Sequence, residues 1–352
     1  MGKSLREHQL AMGAVFASDD ATIAMTYDND AAAREAINAG VAVCDRSYWG
    51  RLRIADSDRL RFLHNQTTNQ LQQLQPGQGC DTVFVTSTGR TLDLATAYIQ
   101  AEAVLLMVSP GQATVLSDWM DRYIFFADKV RIVDETDTTV AFTLLGPESS
   151  TLLSRLDIAV DQAANDADHQ TVALQGTDVL LATGTGLGLP GFTLIAPSEM
   201  GASLWALLTD AGAVPCGDRI WQQLRIEQGR PMPGAELTEE YNPLEAGLWH
   251  TISFDKGCYI GQETIARLNT YQGVKQQLWG LQLNAAVDPQ TPITLEGEKA
   301  GVLTSCIETP AGIRGLGYIR TKIGGKGLTV TVGETTAEVV AIPLATRGYL
   351  EE

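Results

Sequence analysis

The feature that most constrains the fold of this chain is a series of short apolar segments that follows Lys275. Each segment spans three to six residues and is separated from the next by a turn that contains glycine, proline or aspartate. Segments of this length suit β-strands and are too short for helices. The sequence therefore predicts a small all-β barrel or jelly-roll module in this part of the chain. The six predicted strands are Leu278–Leu283, Ile293–Leu295, Gly301–Cys306, Gly315–Ile319, Thr329–Val332 and Ala337–Ile342.

The first part of the chain mixes helical and strand patterns. Leucines recur at helical spacing in Asp56–Leu71, and a second helix is predicted over Ala113–Phe126. Cys80–Thr86 and Leu92–Ile99 flank the turn sequence Ser-Thr-Gly-Arg, which indicates a hairpin, and Ala103–Val108 is a third apolar run. Sequential strands with a helix predict an antiparallel α+β arrangement and not a doubly wound parallel sheet.

A second α+β region begins near Val140. Val140–Leu145 is strand-like, and a helix is predicted over Pro147–Leu156. The glycine-rich stretch Thr183–Gly191 superficially resembles a dinucleotide-binding loop. However, the strand-like segment Phe192–Ala196 follows it where a Rossmann fold requires a helix, so we reject that interpretation. Two later helices are predicted at Ser198–Ala211 and Asp218–Gln228.

The length of 352 residues suits two or three domains. We predict an α+β region over residues 1–139, a second α+β region over 140–274 and the all-β module over 275–352. The first two regions are free to interleave in space.

The charge of the chain excludes some classes of partner. Lysine and arginine number 25 against 42 aspartates and glutamates, so the formal net charge is −17. A charge of this sign repels nucleic-acid backbones and anionic membranes, and we expect no direct contact with either. A local basic cluster is interpreted as a solvated face; it consists of Arg314, Arg320, Lys322 and Lys326.

The cysteines and the N-terminal residues indicate a reducing compartment. Five cysteines are present and no two have a C-x-x-C spacing, so neither a disulfide framework nor a zinc ribbon is predicted. We expect no bound metal. Met1–Phe16 carries charged residues and lacks a secretory signal, and no apolar run reaches membrane-spanning length. A cytoplasmic location is the simplest expectation.

The most informative stretch for chemistry is Asp255–Glu263, D-K-G-C-Y-I-G-Q-E. Two glycines bracket Cys258 and permit tight turns, and Gln262–Leu268 is predicted to form a helix. A helix N-terminus and the nearby Lys256 would both favour the thiolate form of this cysteine. We therefore interpret Cys258 as a reactive thiol. The other four cysteines are interpreted as small buried hydrophobic residues: Cys44, Cys80, Cys216 and Cys306.

The eight residues K-G-C-Y-I-G-Q-E resemble the K-G-C-[FY]-x-G-Q-E signature of the YgfZ-type folate-binding family, and every fixed position matches. Around the cysteine the motif residues are Lys256, Gly257, Tyr259, Gly261, Gln262 and Glu263. Weaker similarities extend over much of the chain. They comprise Arg61–Asn69 (F-L-x-x-Q-x-T-x-D without its aspartate), Leu145–Pro147 (L-Q-G-P without its glutamine), Leu224–Gly229 (L-R-x-E-x-G) and Pro243–Leu248 (P-x-E-x-x-L).

This resemblance implies the α+β fold of the glycine-cleavage T-protein, with three domains around a central folate-binding funnel and a β-barrel at the C-terminal end. It implies tetrahydrofolate, or a one-carbon derivative, as the cofactor. The cysteine-containing signature is that of the branch associated with iron–sulfur clusters, whose members support certain cluster enzymes, including one that modifies tRNA. The expected partners are therefore iron–sulfur client or assembly proteins, and the net charge indicates that any effect on tRNA is indirect.

Asp93 is a candidate catalytic residue through the same resemblance. Gly89–Asp93 resembles a G-G-I-x-D element whose aspartate lies near the reactive folate nitrogens in T-proteins, and many YgfZ-type proteins lack that acid. A carboxylate there could accept a proton from a folate nitrogen. The alternative is a strand-end aspartate that bonds to the hairpin backbone.

Three further residues are candidates for contact with folate. Arg225 corresponds to the arginine of L-R-x-E-x-G, and its planar guanidinium could form two parallel hydrogen bonds; the alternative is a salt bridge with Glu227 or Asp218. Trp249 or His250 is expected to stack on the ligand, with ordinary packing as the alternative for either.

Three functions stay open at this point. The protein is a folate-binding assembly factor with Cys258 as its essential thiol, an aminomethyltransferase that uses Asp93, or a scaffold with a vestigial folate site. The cysteine signature favours the first function, and Asp93 adds weight to the second. Whether the protein is an enzyme is therefore left open.

Overall fold

The computed structural model describes residues 4–18, 22–161 and 163–351, which form eight α-helices and nineteen β-strands. The helices are α1 (Leu5–Ala11), α2 (Asp30–Ala39), α3 (Arg59–Gln66), α4 (Gln112–Asp121), α5 (Ser149–Arg155), α6 (Gly201–Asp210), α7 (Asp218–Gln228) and α8 (Gln262–Thr270). The first ten strands are β1 (Val15–Phe16), β2 (Ala24–Thr26), β3 (Ala42–Asp45), β4 (Gly50–Ala55), β5 (Gly79–Val85), β6 (Thr91–Ile99), β7 (Ala103–Val108), β8 (Arg131–Asp134), β9 (Thr139–Leu145) and β10 (His169–Leu174). The other nine are β11 (Thr177–Thr183), β12 (Gly191–Pro197), β13 (Val214–Cys216), β14 (Gln276–Leu283), β15 (Pro292–Leu295), β16 (Glu298–Thr309), β17 (Gly312–Arg320), β18 (Thr329–Val332) and β19 (Thr335–Val340).

These strands form three open sheets and one closed barrel. The open sheets are β1-β2, the six-stranded order β10-β11-β12-β9-β3-β13 and the five-stranded order β5-β6-β7-β4-β8. In the six-stranded sheet the neighbours are antiparallel except for β13, which runs parallel to β3. The predicted mixture of helices with mainly antiparallel strands is confirmed.

The chain divides into two compact units and passes between them several times. The first unit contains residues 1–60, 73–80 and 96–221, and the second contains residues 61–72, 81–95 and 222–352. Two short segments from the N-terminal part of the sequence therefore belong to the same unit as the C-terminal third. The three domain ranges predicted from the sequence stay predictions.

The core of the first unit is built around aromatic side chains. Trp205 on α6 is fully buried and packs against Tyr27 and Phe142, with ring centroids 5.9 and 5.3 Å away. Aliphatic residues from the six-stranded sheet and from α5 and α6 complete this cluster. Burial of aromatic side chains of this size contributes a large share of the hydrophobic stabilisation of a domain.

The predicted all-β module is a closed six-stranded barrel with the strand order β14-β17-β16-β15-β18-β19. Antiparallel pairing of β14 with β19 closes the ring. The interior is filled by branched aliphatic residues such as Leu281, Leu303, Ile319 and Val339. The barrel prediction is confirmed, and β18 has the predicted bounds. β16 extends beyond its predicted range at both ends because its polar terminal residues still pair with neighbouring strands.

Glu236 forms a buried hydrogen-bond cluster in the second unit. Its fully buried carboxylate accepts hydrogen bonds from Thr304 Oγ1 at 2.7 Å and Ser305 Oγ at 2.6 Å through Oε1. Its Oε2 accepts from Met232 N at 3.1 Å and pairs with Arg225 Nη1 at 3.3 Å. Adjacent strand residues normally face opposite sides, but the register of β16 shifts between Leu303 and Ser305, which allows both hydroxyls to reach one carboxylate.

Two predicted helices are too long. The helix in Asp56–Leu71 is limited to α3, which ends at Gln66. The apolar residues of Ala113–Phe126 suggested a helix to Phe126, but α4 ends at Asp121. Phe125 and Phe126 lie beyond that end and are exposed. Apolar periodicity cannot separate residues that pack on the core from residues that continue past the helix, so the boundary was overestimated.

Helices α4 and α8 both begin after a glycine in the left-handed region. Gly111 has φ +74° and ψ −2°, and Gly261 has φ +79° and ψ −1°. A Cβ atom on Gly111 would meet no atom within 4 Å, whereas a Cβ on Gly261 would lie 2.6 Å from Thr86 O and 2.9 Å from Gly89 Cα. The start of α8 therefore packs directly on the turn between β5 and β6, at a distance that only glycine allows.

The two capping glycines provide a matched pair of substitutions. Gly111→Ala should cost about 1 kcal/mol, the price of a non-glycine residue at positive φ. Gly261→Ala should cost roughly 2–4 kcal/mol because overpacking against the β5–β6 turn adds to the same strain. Denaturant unfolding of the two variants measures the difference. Equal losses would mean that the turn moves away without cost.

Candidate functional site

Lys256 anchors the cysteine-containing loop in the second unit. The side chain is buried, and its ammonium donates hydrogen bonds to the carbonyl oxygens of His64 at 2.5 Å, Thr67 at 2.7 Å and Asn69 at 2.7 Å. The same ammonium lies 4.7 Å from the ring centroid of Tyr259. These carbonyls lie at and just beyond the C-terminal end of α3, where a positive charge is favoured. The sequence had suggested this charge as an influence on Cys258, but it is buried among main-chain oxygens.

Cys258 is the exposed cysteine of this chain. Cys44 and Cys216 are buried on the paired strands β3 and β13, and Cys80 and Cys306 are half-buried. Helix α8 begins at Gln262 as predicted, so three residues separate the thiol from the helix. The loop therefore buries the lysine two residues before the cysteine and leaves the thiol accessible to solvent.

The other motif residues fix the shape of this loop. Tyr259 is buried, which raises the pKa of its phenol, and its backbone N–H donates to Oε1 of Gln262 at 3.4 Å. Ile260 N donates to Asn65 O at 3.0 Å, and Lys256 donates to His64 O, so the loop is bound to α3 on both sides of the cysteine. Glu263 lies in the first turn of α8, where its carboxylate compensates the helix dipole. Gly257 is exposed next to the thiol.

His64 lies beside the cysteine loop, and the sequence interpretation assigned it no role. The imidazole is buried, and its Nδ1 has no hydrogen-bond partner among the described residues. Its Nε2 is 3.7 Å from the position that a Cβ on Gly257 would occupy. Burial, together with the positive charge of Lys256, lowers the pKa of His64 to about 4. A neutral imidazole therefore flanks the loop at neutral pH.

Asp93 lies on β6 within the second unit and is fully buried. Its Oδ1 accepts a hydrogen bond from the backbone N–H of the next residue, Leu94, at 2.9 Å. This contact lies within β6 and not in the hairpin turn, so the catalytic role and its alternative both stay predictions. Thr91 on the same strand donates to Tyr241 O at 2.9 Å through its backbone N–H. The packing of Gly89 against Gly261 places the β5–β6 turn next to the cysteine loop. The structure thus brings together three motif segments that are far apart in sequence, namely Arg61–Asn69, Gly89–Asp93 and Lys256–Glu263.

Arg225 is part of the Glu236 cluster. Its Nη1 pairs with Glu236, its Nη2 donates to Ser305 Oγ at 3.1 Å, and its Nε donates to Gln222 Oε1 at 2.7 Å. The sequence interpretation considered Glu227 and Asp218 as ion-pair partners and missed Glu236. Glu236 is the single acidic residue in the apolar stretch P-M-P-G-A-E-L. Because buried carboxylates are rarely left without a partner, this pattern could have indicated that Glu236 pairs with a cation.

Trp249 and His250 lie in different environments. The Trp249 ring is buried; its Nε1 donates to Leu244 O at 3.1 Å, and the ring packs edge-on against Tyr349 with centroids 5.2 Å apart. His250 is exposed, and its Nδ1 lies 3.0 Å from Thr346 Oγ1. Of the two, Trp249 is held in place by packing, whereas His250 faces solvent. Their expected contact with folate stays a prediction.

Two features are absent from the part of the chain that the structure describes. Residues 4–18, 22–161 and 163–351 contain no group of three or more His, Cys, Asp or Glu side chains arranged to hold a metal ion. Within the same residues, no helix combines the length and hydropathy needed to cross a bilayer.

Comparison with known sequences identifies related proteins over most of the chain. Residues 5–256 match the family described as the GCVT N-terminal domain. A chloroplastic protein of Arabidopsis thaliana, named as a candidate transferase, is 45% identical over 327 residues that cover 92% of this chain and 76% of the relative. The aminomethyltransferase of Thermosynechococcus vestitus is 28% identical over 325 residues, which cover 91% of this chain and 88% of the relative.

Comparison with solved structures confirms the predicted fold. The glycine cleavage system aminomethyltransferase T of Bartonella henselae matches with a TM-score of 0.85, over 98% of both chains, at 19% identity. At this identity the likeness concerns the fold and not the chemistry. The T-protein fold expected from the sequence motifs, with its C-terminal barrel, is therefore correct.

Substitution of Lys256 tests its role as the anchor of the loop. Lys256→Met keeps the aliphatic length and leaves three carbonyls without their charged donor, so the free energy of unfolding should fall by roughly 2–4 kcal/mol. Lys299→Met, at an exposed position on the barrel, is the control and should change it by less than about 0.5 kcal/mol. Similar losses in both variants would show that Lys256 does not hold the loop.

The low pKa of His64 predicts a pH dependence of stability. Because the pKa is about 4 in the folded protein and about 6.5 when unfolded, the unfolded chain binds more protons between these values. Stability should therefore be complete above the upper value and decrease as the pH falls towards the lower one. In His64→Gln this part of the decrease should be absent.

Unfolding free energies at several pH values, with a titration of the His64 ring by NMR, measure the effect. Burial also lowers the pKa of His169, so the variant should retain a weaker dependence of the same sign. An unchanged pH profile in His64→Gln would contradict the assignment.

Proposed function

Because the chain belongs to the GCVT family, we propose that it binds tetrahydrofolate, or a one-carbon derivative, and supports the assembly or repair of iron–sulfur clusters in client enzymes. Cys258 is the key thiol of this proposal. The observation that carries it is the contrast within one loop, in which Lys256 and Tyr259 are buried while the cysteine between them is exposed. A cysteine that served only packing would not require such a support.

Folate binding is proposed from family membership together with four residues of the second unit. Trp249 and His250 supply an aromatic ring and an exposed imidazole for stacking, and Arg225 and Asp93 supply polar groups. Arg225 is already engaged by Glu236, so a folate carboxylate would have to share or replace a hydrogen bond in that cluster. Asp93 is buried, which suits recognition of a ring nitrogen that enters a dry site.

One cysteine cannot hold an iron–sulfur cluster, since such clusters are bound by several ligands. We therefore propose that the Cys258 thiol acts transiently or shares a cluster with ligands of a client protein. The net charge of −17 supports protein partners in preference to nucleic acid, so an effect on tRNA modification would be indirect. The proposed YgfZ-type assignment rests on the K-G-C-Y-I-G-Q-E motif.

The alternative is a folate-dependent aminomethyltransferase that uses Asp93. It is favoured by the names of relatives such as the Thermosynechococcus vestitus protein and by the retained aspartate on the β5–β6 hairpin. In this function the carboxylate would accept a proton from a folate nitrogen during transfer of the methylene group. A cytoplasmic location remains a prediction, because the Arabidopsis thaliana relative carries a chloroplastic name.

The proposal is tested by separating folate affinity from thiol function. Calorimetric titration with tetrahydrofolate and 5-formyltetrahydrofolate should give a dissociation constant of about 1–100 μM. Cys258→Ser should retain this affinity and its melting temperature but lose the ability to restore a cluster-depleted client enzyme. Cys306→Ser, a half-buried cysteine on the barrel, should retain both.

Three results would contradict parts of this proposal. Absence of binding to either folate would remove the cofactor assignment, and normal client support by Cys258→Ser would remove the thiol. An early-melting Cys258→Ser variant would mean that the cysteine is structural. The transferase would be favoured if the protein formed methylenetetrahydrofolate from an aminomethylated lipoyl carrier and if Asp93→Asn abolished this activity.

A further inference from the structure

A basic cavity in the second unit is lined by no residue of the cysteine loop and has no role in the functions considered above. Its volume is about 720 Å³, which falls in the range of small-molecule sites. Four cationic side chains line it: Arg90, Lys275, Arg320 and Lys322. The solvated face predicted from the sequence includes Arg320 and Lys322; both are exposed, and both also border this cavity.

The cations are incompletely neutralised. Arg90 is engaged, because its Nη1 lies 3.8 Å from Glu245 Oε2 and 2.9 Å from the main-chain oxygen of Glu240. Lys275 acts electrostatically on the same Glu245 carboxylate. Within the described part of the chain, the guanidinium of Arg320 and the ammonium of Lys322 have neither a hydrogen bond nor an ion pair. Four cationic residues and two carboxylates line this cavity, so positive charge is in excess there although the chain has a net charge of −17.

The two backbone segments that carry Lys275, Arg320 and Lys322 are joined by hydrogen bonds. Thr321 N donates to Lys275 O at 2.9 Å, and Thr321 Oγ1 donates to Val274 O at 3.0 Å. Gln276 on β14 pairs in register with Arg320 on β17. The two segments are thus held together, so an incoming anion meets charges whose backbone positions are already set. Such preorganisation reduces the entropy lost on binding.

From this arrangement we infer that the cavity is a binding site for a small ligand with two or more carboxylate or phosphate groups. A single exposed ion pair contributes little, so one anionic group would not be held well. Lys275, Arg320 and Lys322 together match a ligand whose anionic groups are spaced along a chain. The carboxylates of Glu240 and Glu245, which also line the cavity, repel such a ligand. Glu245 is offset by Arg90, whereas Glu240 is exposed at the rim. This inference does not depend on folate binding.

The test uses two probes that represent the two sources of charge, tri-γ-glutamate for carboxylates and tripolyphosphate for phosphates. Calorimetric titration at low ionic strength should show binding of at least one probe with a dissociation constant of about 10 μM to 1 mM. The affinity should decrease as salt is added, because exposed charges are screened. The probe that binds more tightly identifies the chemistry of the ligand.

Substitutions inside and outside the cavity test where the probe binds, and each has an expected direction of change in affinity. The double variant Arg320→Gln with Lys322→Gln should weaken binding at least about tenfold. Glu240→Gln, which removes the opposing rim carboxylate, should strengthen binding a few-fold. The control double variant is Arg314→Gln with Lys326→Gln, which removes the same charge from residues outside the cavity and should bind within about twofold of the wild type.

The inference is overturned if neither probe binds at about 5 mM, a concentration that would reveal even a weak site. It is also overturned if the two double variants lose affinity equally, because binding would then reflect net charge and not this cavity. Melting temperatures establish that each variant is folded. Arg320, Lys322, Lys326 and Glu240 are exposed and Arg314 is half-buried, so a large folding defect is not expected.

Discussion

The local structure around the cysteine depends on one buried ammonium. Lys256 donates hydrogen bonds to carbonyl oxygens that α3 and the residues after it would otherwise leave unpaired. It lies 187 to 192 residues later in the chain than these acceptors. Two backbone bonds reinforce this connection, from Ser253 N to Thr68 O at 3.1 Å and from Ile260 N to Asn65 O at 3.0 Å. Burial of a charge is unfavourable unless its hydrogen bonds are made, and here three carbonyl oxygens accept hydrogen bonds from the ammonium. The exposed thiol is a consequence of this anchoring.

Much of the fold could be predicted from the sequence because its signals are local. The barrel follows from the spacing of short apolar segments, and the start of α8 follows from the glycine before Gln262. The parallel pairing of β13 with β3 and the passage of the chain between two units could not be predicted, since both depend on contacts between distant segments. The family resemblance supplied the overall fold but neither the pairing of β13 with β3 nor the boundaries of the two units.

The site was predicted less completely, for a similar reason. A residue type indicates that a group can be charged, but the direction of its side chain depends on partners elsewhere. Lys256 was identified as a motif residue, yet no local pattern indicates that its ammonium points towards α3. Glu236 and His64 were missed because each is significant only through a partner that local patterns do not identify, Arg225 in one case and Lys256 in the other. Buried polar residues are where reasoning from local sequence is weakest.

The pairing of β14 with β19 has a consequence for how this protein meets other chains. Every strand from Gln276 to Val340 has hydrogen-bonded neighbours on both sides, so the barrel has no edge strand with which an incoming strand could pair. The six-stranded sheet, in contrast, ends in β10 and in β13, and the latter is only three residues long and contains Pro215, which lacks an N–H. Recognition through the barrel must therefore rely on side chains, and a partner that reads main-chain groups by strand addition is excluded from it.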